Sequence, residues 1–136
     1  MAYEKFVPEI TPLHAPFWDA VGAHRLALQR CDACGAFRFI PSELCTCGSA
    51  SSTWTPIAGT GEVFTYTVVH RAPTPAYQAD VPYVIAHVTI DEGPRLISNL
   101  VDCDPARVHI GMPVRVVYED VSPDLTLYKF EPRDGK

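Results

Sequence analysis

No apolar run in this 136-residue sequence approaches the roughly 18 residues that a membrane-crossing helix needs. The opening stretch MAYEKFVPEITPLHAP has no apolar region of a secretory leader, so a cytoplasmic chain without a membrane segment is expected. Cations are scarce: 11 Lys and Arg face 16 Asp and Glu, a formal charge of −5. That balance speaks against a protein that grips nucleic acid by neutralising many phosphates, although it leaves room for one small basic groove. Also missing are a Gly-rich phosphate loop and a Gly-x-Ser-x-Gly elbow. The histidines His14, His24, His70, His87 and His109 are scattered, without the pairing of a metal or acid–base site. The carboxylate pairs Asp91-Glu92 and Glu119-Asp120 fall at expected strand ends, where solvated charge is their ordinary role. No catalytic constellation emerges. What is present is enough apolar material to fold: 47% hydrophobic against 20% charged residues excludes wholesale disorder. A chain of this size buries about two thirds of its unfolded surface and needs no disulfides.

Four of the five cysteines, Cys31, Cys34, Cys45 and Cys47, crowd into one short stretch, and Cys103 stands alone. In a chain without a leader, clustered thiols point to metal rather than to disulfides. Cys31-Asp32-Ala33-Cys34-Gly35 has the form of a zinc knuckle, a turn that lets two thiolates converge while backbone amides stabilise their charge. Cys45-Thr46-Cys47-Gly48 is a second knuckle, one residue shorter than the common spacing. A four-cysteine zinc ribbon is the leading expectation. A ribbon standing without metal on Phe37, Phe39 and Trp54 is an alternative, as is a redox Cys-x-x-Cys, although no βαβ pattern surrounds it. Four thiolates would leave no open position for water, so the zinc would be structural.

Around the cysteines, Pro16 suits the first turn of a short helix that places Phe17, Trp18 and Val21 on one face and stops near Gly22. The alternation of Leu26 and Leu28 predicts a strand into Cys31, and that of Phe37 and Phe39 predicts its hairpin return. From Gly59 the texture is all β. Strands are expected over 61–70, 83–91, 95–102, 114–119 and 125–130, divided by turn signals such as Asp91-Glu92-Gly93-Pro94. Five strands in this length suit a small barrel, with the OB-fold as the size match; an SH3-like barrel or small sandwich fits the pattern too. The expected division is a helix and ribbon over 1–55 and a barrel over 56–136. The twelve-residue segment from Arg71 to Pro82 is long for a hairpin connection, and such loops often carry function. Its Arg71 offers a fixed charge for phosphate or carboxylate, and Tyr77 a flat ring for a base or a pantetheine-like chain. Eight arginines against three lysines favour planar phosphate contacts at a few points, with Arg25, Arg30, Arg38 and Arg71 as the candidates.

The order of these pieces resembles a known family, the zinc-ribbon plus OB-fold proteins catalogued as domain of unknown function thirty-five. The resemblance spans about Pro12 to Pro132. It rests on FWDAVGAHRLALQRCDACGAFRFIPSELCTCGS, WTPIAGTGEVFTYTVVHR, VPYVIAHVTIDEGPRLISNLVD and IGMPVRVVYEDV. The shortened second knuckle departs from the family's Cys-x-x-Cys-Gly. The resemblance implies a mainly β fold: a short N-terminal helix, a rubredoxin-like zinc ribbon liganded by Cys31, Cys34, Cys45 and Cys47, and a five-stranded OB-fold barrel. It further implies a non-catalytic accessory subunit in acyl-CoA and lipid metabolism. Such a subunit forms a hetero-oligomer with a thiolase-like enzyme (lipid-transfer-type thiolase, acyltransferase or aldolase) or a hydratase-like one. The partner brings the catalytic residues, and this chain shapes the acyl-CoA site or tethers subunits. Two other classes compete: a single-stranded nucleic-acid module stacking bases on Phe64, Tyr66 and Tyr83, and a self-sufficient thioesterase or hydratase. The acidity of the barrel half disfavours the first, and the missing acid–base set the second.

Overall fold

A computed structural model describes residues 4–133. The chain begins with helix α1 (Ala15–Gly22), which buries Phe17, Ala20 and Val21 and places Pro16 in its first turn. Trp18 is half-buried, packed edge-on against Phe17. Gly22 is the last helical residue, yet the left-handed position that redirects the chain falls two residues later, on His24 (φ 59°). Its imidazole Nε2 lies 2.9 Å from a carboxylate oxygen of Asp120 and the ring stacks on Tyr118, so contacts to the barrel hold this turn.

Three strands then make a small antiparallel sheet in the order β2-β1-β3. Strand β1 (Leu26–Cys31) is central, β2 (Phe37–Arg38) is two residues long, and β3 (Ser52–Ile57) pairs along the whole of β1, from Leu26 opposite Ile57 to Cys31 opposite Ser52. Strand β3 had no counterpart among the expected strands. Its Ser-rich start carries no strand signal and Pro56 removes a backbone donor, but an edge strand tolerates a proline. Residues 55 and 56, where a division of the chain was expected, both lie within it.

The remaining strands are β4 (Thr60–Val69), β5 (Tyr83–Ile90), β6 (Arg95–Leu100), β7 (Pro113–Ser122) and β8 (Leu125–Pro132). They close into a barrel in the order β4-β5-β6-β8-β7. Four seams are antiparallel, and the β6–β8 seam, Leu100 beside Phe130, is parallel. Alternation explains the interior. In β5, Val84, Ala86, Val88 and Ile90 are buried in register, with the intervening residues facing outward. Val63, Leu96, Leu100, Val114 and Phe130 complete the filling, each such side chain worth about 1.5–3 kcal/mol when withdrawn from water. Leu26 and Leu28 of β1 and Phe17 and Val21 of α1 belong to the same buried cluster. The base of the ribbon sheet and the barrel thus share one core.

Candidate metal centre

The four clustered cysteines lie at the far end of this sheet. Cys31 is the last residue of β1, and the chain turns back at once: the Gly35 amide donates to the Cys31 carbonyl at 2.9 Å, with Gly35 at φ 79°. The shorter second turn is built the same way, the Gly48 amide donating to the Cys45 carbonyl at 2.8 Å with Gly48 at φ 96°. Both positions need the left-handed conformation that glycine adopts at little cost. Buried Gln29 braces the loop between the turns, donating to the Ser42 carbonyl at 3.0 Å and accepting from the Ser42 amide at 2.8 Å.

The result is a tight thiol cluster. All four Sγ atoms fall within 4.8 Å of one another, with Cys31 to Cys47 and Cys34 to Cys45 each at 3.6 Å. Thiolates bound to zinc at about 2.3 Å in a tetrahedron sit about 3.8 Å apart, so the donor set and its spacing fit that ion. The short knuckle does not prevent convergence. Cys31 and Cys45 are buried, while Cys34 and Cys47 face solvent. The Cys34 amide, 3.5 Å from the Cys31 sulfur, is the main reason the Cys31 thiol is held down to about 6. Cys45 is lowered chiefly by the Cys47 amide. At Cys47 the Ser49 amide pulls downward, but the neighbouring Cys31, Cys45 and Cys34 sulfurs and burial together push the thiol up to about 11. Metal binding therefore has to displace a proton from Cys47, because the thiolate is the ligand. With four protein thiolates the site is closed, and its chemistry is structural.

Side chains outside the expected ligand set frame the first knuckle. The Asp32 carboxylate accepts from Ser51 Oγ at 2.5 Å and Thr53 Oγ1 at 2.8 Å, and these two bonds hold its carboxyl below the usual range. Nothing in the sequence marked Asp32 beyond its place inside a knuckle. The period-two spacing of Ser51 and Thr53 was the available signal.

The arginines scatter. Arg30 donates Nε–H to the Gly35 carbonyl at 2.9 Å and lies over the Phe37 ring, bracing the first knuckle. Arg38 donates twice to the Ser42 carbonyl, at 2.8 and 3.2 Å, and its Nη1 is buried without a partner. These two share a groove with Phe37, Phe39 and Glu92, whose Oε1 is also buried and unpartnered. Arg25 and Arg71 are outside that groove, both exposed. Tyr77 belongs to a different place, a cavity of about 340 Å³ at one end of the barrel, where its hydroxyl accepts from the Phe6 amide at 2.9 Å. Cys103 lines the same cavity, away from the thiol cluster. Of the rings weighed as base-stacking platforms, Phe64 already carries the Arg95 guanidinium 3.6 Å over its face, and Tyr83 packs beside Tyr77. Among the described residues no helix is long and apolar enough to cross a membrane.

Comparison with known proteins matches these parts one by one. The profile described as the ChsH2 rubredoxin-like zinc ribbon domain covers residues 18–52, and that of the ChsH2 C-terminal OB-fold domain covers residues 54–119. A Thermomonospora curvata protein named "Probable enoyl-CoA hydratase alpha subunit" is 41% identical over 126 residues, 92% of this chain but 39% of its own length. The chain therefore spans about two fifths of that relative. A Methanocaldococcus jannaschii protein named DUF35 domain-containing scaffold protein is 38% identical over 111 residues, 76% of this chain and 78% of the relative. Among solved structures, a chain of the Ltp2-ChsH2(DUF35) aldolase superposes with a TM-score of 0.84 at 41% identity, covering 93% of this chain and 98% of that one.

Proposed function

This chain belongs to the ChsH2 and DUF35 family of zinc-ribbon and OB-fold proteins, and on that premise we propose that it is an accessory, non-catalytic subunit of an acyl-CoA-processing enzyme. Its catalytic partner is of the thiolase-like class, a lipid-transfer-type thiolase, acyltransferase or aldolase. The observation that carries this reading is the likeness to the DUF35 chain of the Ltp2-ChsH2 aldolase over nearly the full length of both. The chemistry of the metal centre agrees with it, since a closed four-thiolate site has no position at which to activate water or a carbonyl. The division of labour follows: the partner performs bond-making, and this chain builds and braces one side of the acyl-CoA site. Arg30 and Arg38, in one groove beside Phe37 and Phe39, are the proposed contacts for the CoA phosphates. Arg25 and Arg71 contribute longer-range charge. The setting is the cytoplasm, where thiols stay reduced and remain free to hold metal.

Co-expression with thiolase-like genes from the same genome, followed by affinity purification and size-exclusion chromatography, tests the partnership. A stoichiometric complex whose turnover needs both chains is expected. A monodisperse chain that recruits none of them would overturn the proposal, and capture of a hydratase alone would overturn the thiolase-like assignment. Calorimetry with CoA and acyl-CoA, with and without the partner, then tests the arginines. Arg30→Ala or Arg38→Ala that leaves CoA affinity of the complex unchanged removes that residue from the site.

A further inference from the structure

The shortened second knuckle raises a physical question. With one residue fewer in the turn, Cys45-Thr46-Cys47 has less chain with which to aim its second sulfur, yet Cys47 Sγ still reaches 3.6 Å from Cys31 Sγ. Something outside the turn has to fix its exit. That exit is tied to the first knuckle by a continuous set of hydrogen bonds. The Cys45 amide donates to the Ser49 carbonyl at 2.9 Å, and the Ser51 amide donates to Ser49 Oγ at 3.1 Å. The Asp32 amide donates to the Ser51 carbonyl at 3.0 Å, and the Asp32 carboxylate accepts both the Ser51 and the Thr53 hydroxyls. Asp32 directly follows the ligand Cys31, and Ser51 and Thr53 flank Ser52, the residue paired with Cys31 in the sheet. One carboxylate therefore ties the residue next to Cys31 to the start of the strand that leaves the second knuckle.

From this geometry we infer that Asp32, with Ser51 and Thr53, is a positioning group for the metal. It pre-organises the second knuckle so that the site can hold zinc despite the missing residue. The inference is independent of any partner enzyme. Outer partners that orient metal ligands typically govern affinity by about 10–100-fold; an exposed clasp acting through backbone places the expected effect near the lower end.

Two effects of removing the carboxylate have opposite signs, which makes the role decidable. Four thiolates and one zinc ion carry a net charge of −2, so deleting a neighbouring negative charge by electrostatics alone would tighten zinc binding. Deleting a clasp that aims Cys47 loosens it. Zinc affinity of the full chain is measured by competition with a chromophoric chelator, and cobalt(II) substitution reports the geometry of the thiolate site through its absorption bands. Asp32→Ala is expected to weaken zinc about tenfold and to reduce or shift the tetrahedral cobalt bands. Asp32→Asn, which keeps one acceptor oxygen, should recover part of the loss. Should Asp32→Ala fail to fold, Thr53→Val removes one hydroxyl at constant shape and should give a smaller loss in the same direction. Thr55→Val removes a hydroxyl that donates to the Thr53 carbonyl rather than to Asp32, and should cost less zinc affinity than Thr53→Val. Unchanged or tighter zinc in both Asp32→Asn and Thr53→Val, with cobalt spectra like the parent, would overturn the assignment.

Discussion

The ribbon tip and the barrel are stabilised by different means, although they sit in one short chain. In the barrel nearly every inward position is a Val, Ile, Leu or Phe with almost no exposure, and the sheet closes on itself through the short β6–β8 seam. In the tip, the residues around the cysteines are mostly exposed, and the buried ones are Cys31, Pro41 and Cys45, with Gln29 just below. Apolar burial supports the one; sulfur–metal bonds and hydrogen bonds to backbone support the other. A small module with little to bury can still be well ordered if a metal replaces its core.

The largest test of this contrast is removal of the metal. Zinc binding in small ribbon-like sites is worth about 10–16 kcal/mol in apparent free energy at neutral pH. Chelation, or Cys31→Ser, should therefore abolish one bound zinc per chain and strip amide-exchange protection from residues 31–51. Protection across β4 to β8 should persist. Loss of protection over the entire chain would show that the two regions are not separately supported. Loading zinc at neutral pH should release protons, Cys47 foremost, so affinity should rise with pH; calorimetry in buffers of different ionisation enthalpy measures this.

The next test addresses the seam. Phe17 is 1% exposed and meets Phe39 of the ribbon at 5.1 Å and Tyr128 of the barrel at 5.5 Å. Phe17→Ala should cost about 3–5 kcal/mol, read by denaturant unfolding, and should lower both regions together. Inside the barrel, Gly61 sits where a Cβ would lie 2.3 Å from the Thr89 carbonyl oxygen. Gly61→Ala should force β4 from β5 and cost about 1–3 kcal/mol without disturbing zinc content.

The smallest effect belongs to the surface pin between His24 and Asp120. The Asp120 carboxyl is lowered, first by the Thr126 hydroxyl and then by His24. A carboxyl depressed in the folded state contributes stability that is present above its unfolded value, and that is lost as pH falls through its folded value. Asp120→Asn should therefore flatten the acid limb by slightly lowering the plateau near neutrality, with no difference from the parent at pH below the folded value; the drop is small because the pair is exposed and screened. A steep parental acid limb that survives the substitution would assign the acid sensitivity elsewhere.

How much of this was legible in the sequence follows from the type of signal. The five barrel strands were readable because each buries one face, and period two survives in Val84, Ala86, Val88 and Ile90. The metal ligands were readable because knuckle spacing is local. Strand β3 was not, since its pairing energy comes from β1 and its composition is that of a turn. The arginines were not sorted either: whether Arg30 and Arg38 share a groove that Arg25 and Arg71 do not enter depends on register and loop path, which composition does not encode. The Asp32 clasp required the β1–β3 pairing to be known first.

Strand β3 also has a mechanical consequence. It hands over to β4 through Ala58 and Gly59 alone, while its partner β1 starts at Leu26 in the shared core and ends at Cys31 in the thiol cluster. A paired strand of that length measures about 17 Å from first to last residue. With so short a link and a common core beneath it, the sheet acts as a rigid strut that sets the standoff between the metal tip and the barrel. An enzyme docking on both would be measured against a fixed ruler, and inserting two residues into β1 and β3 would lengthen that ruler by about 7 Å without touching either end.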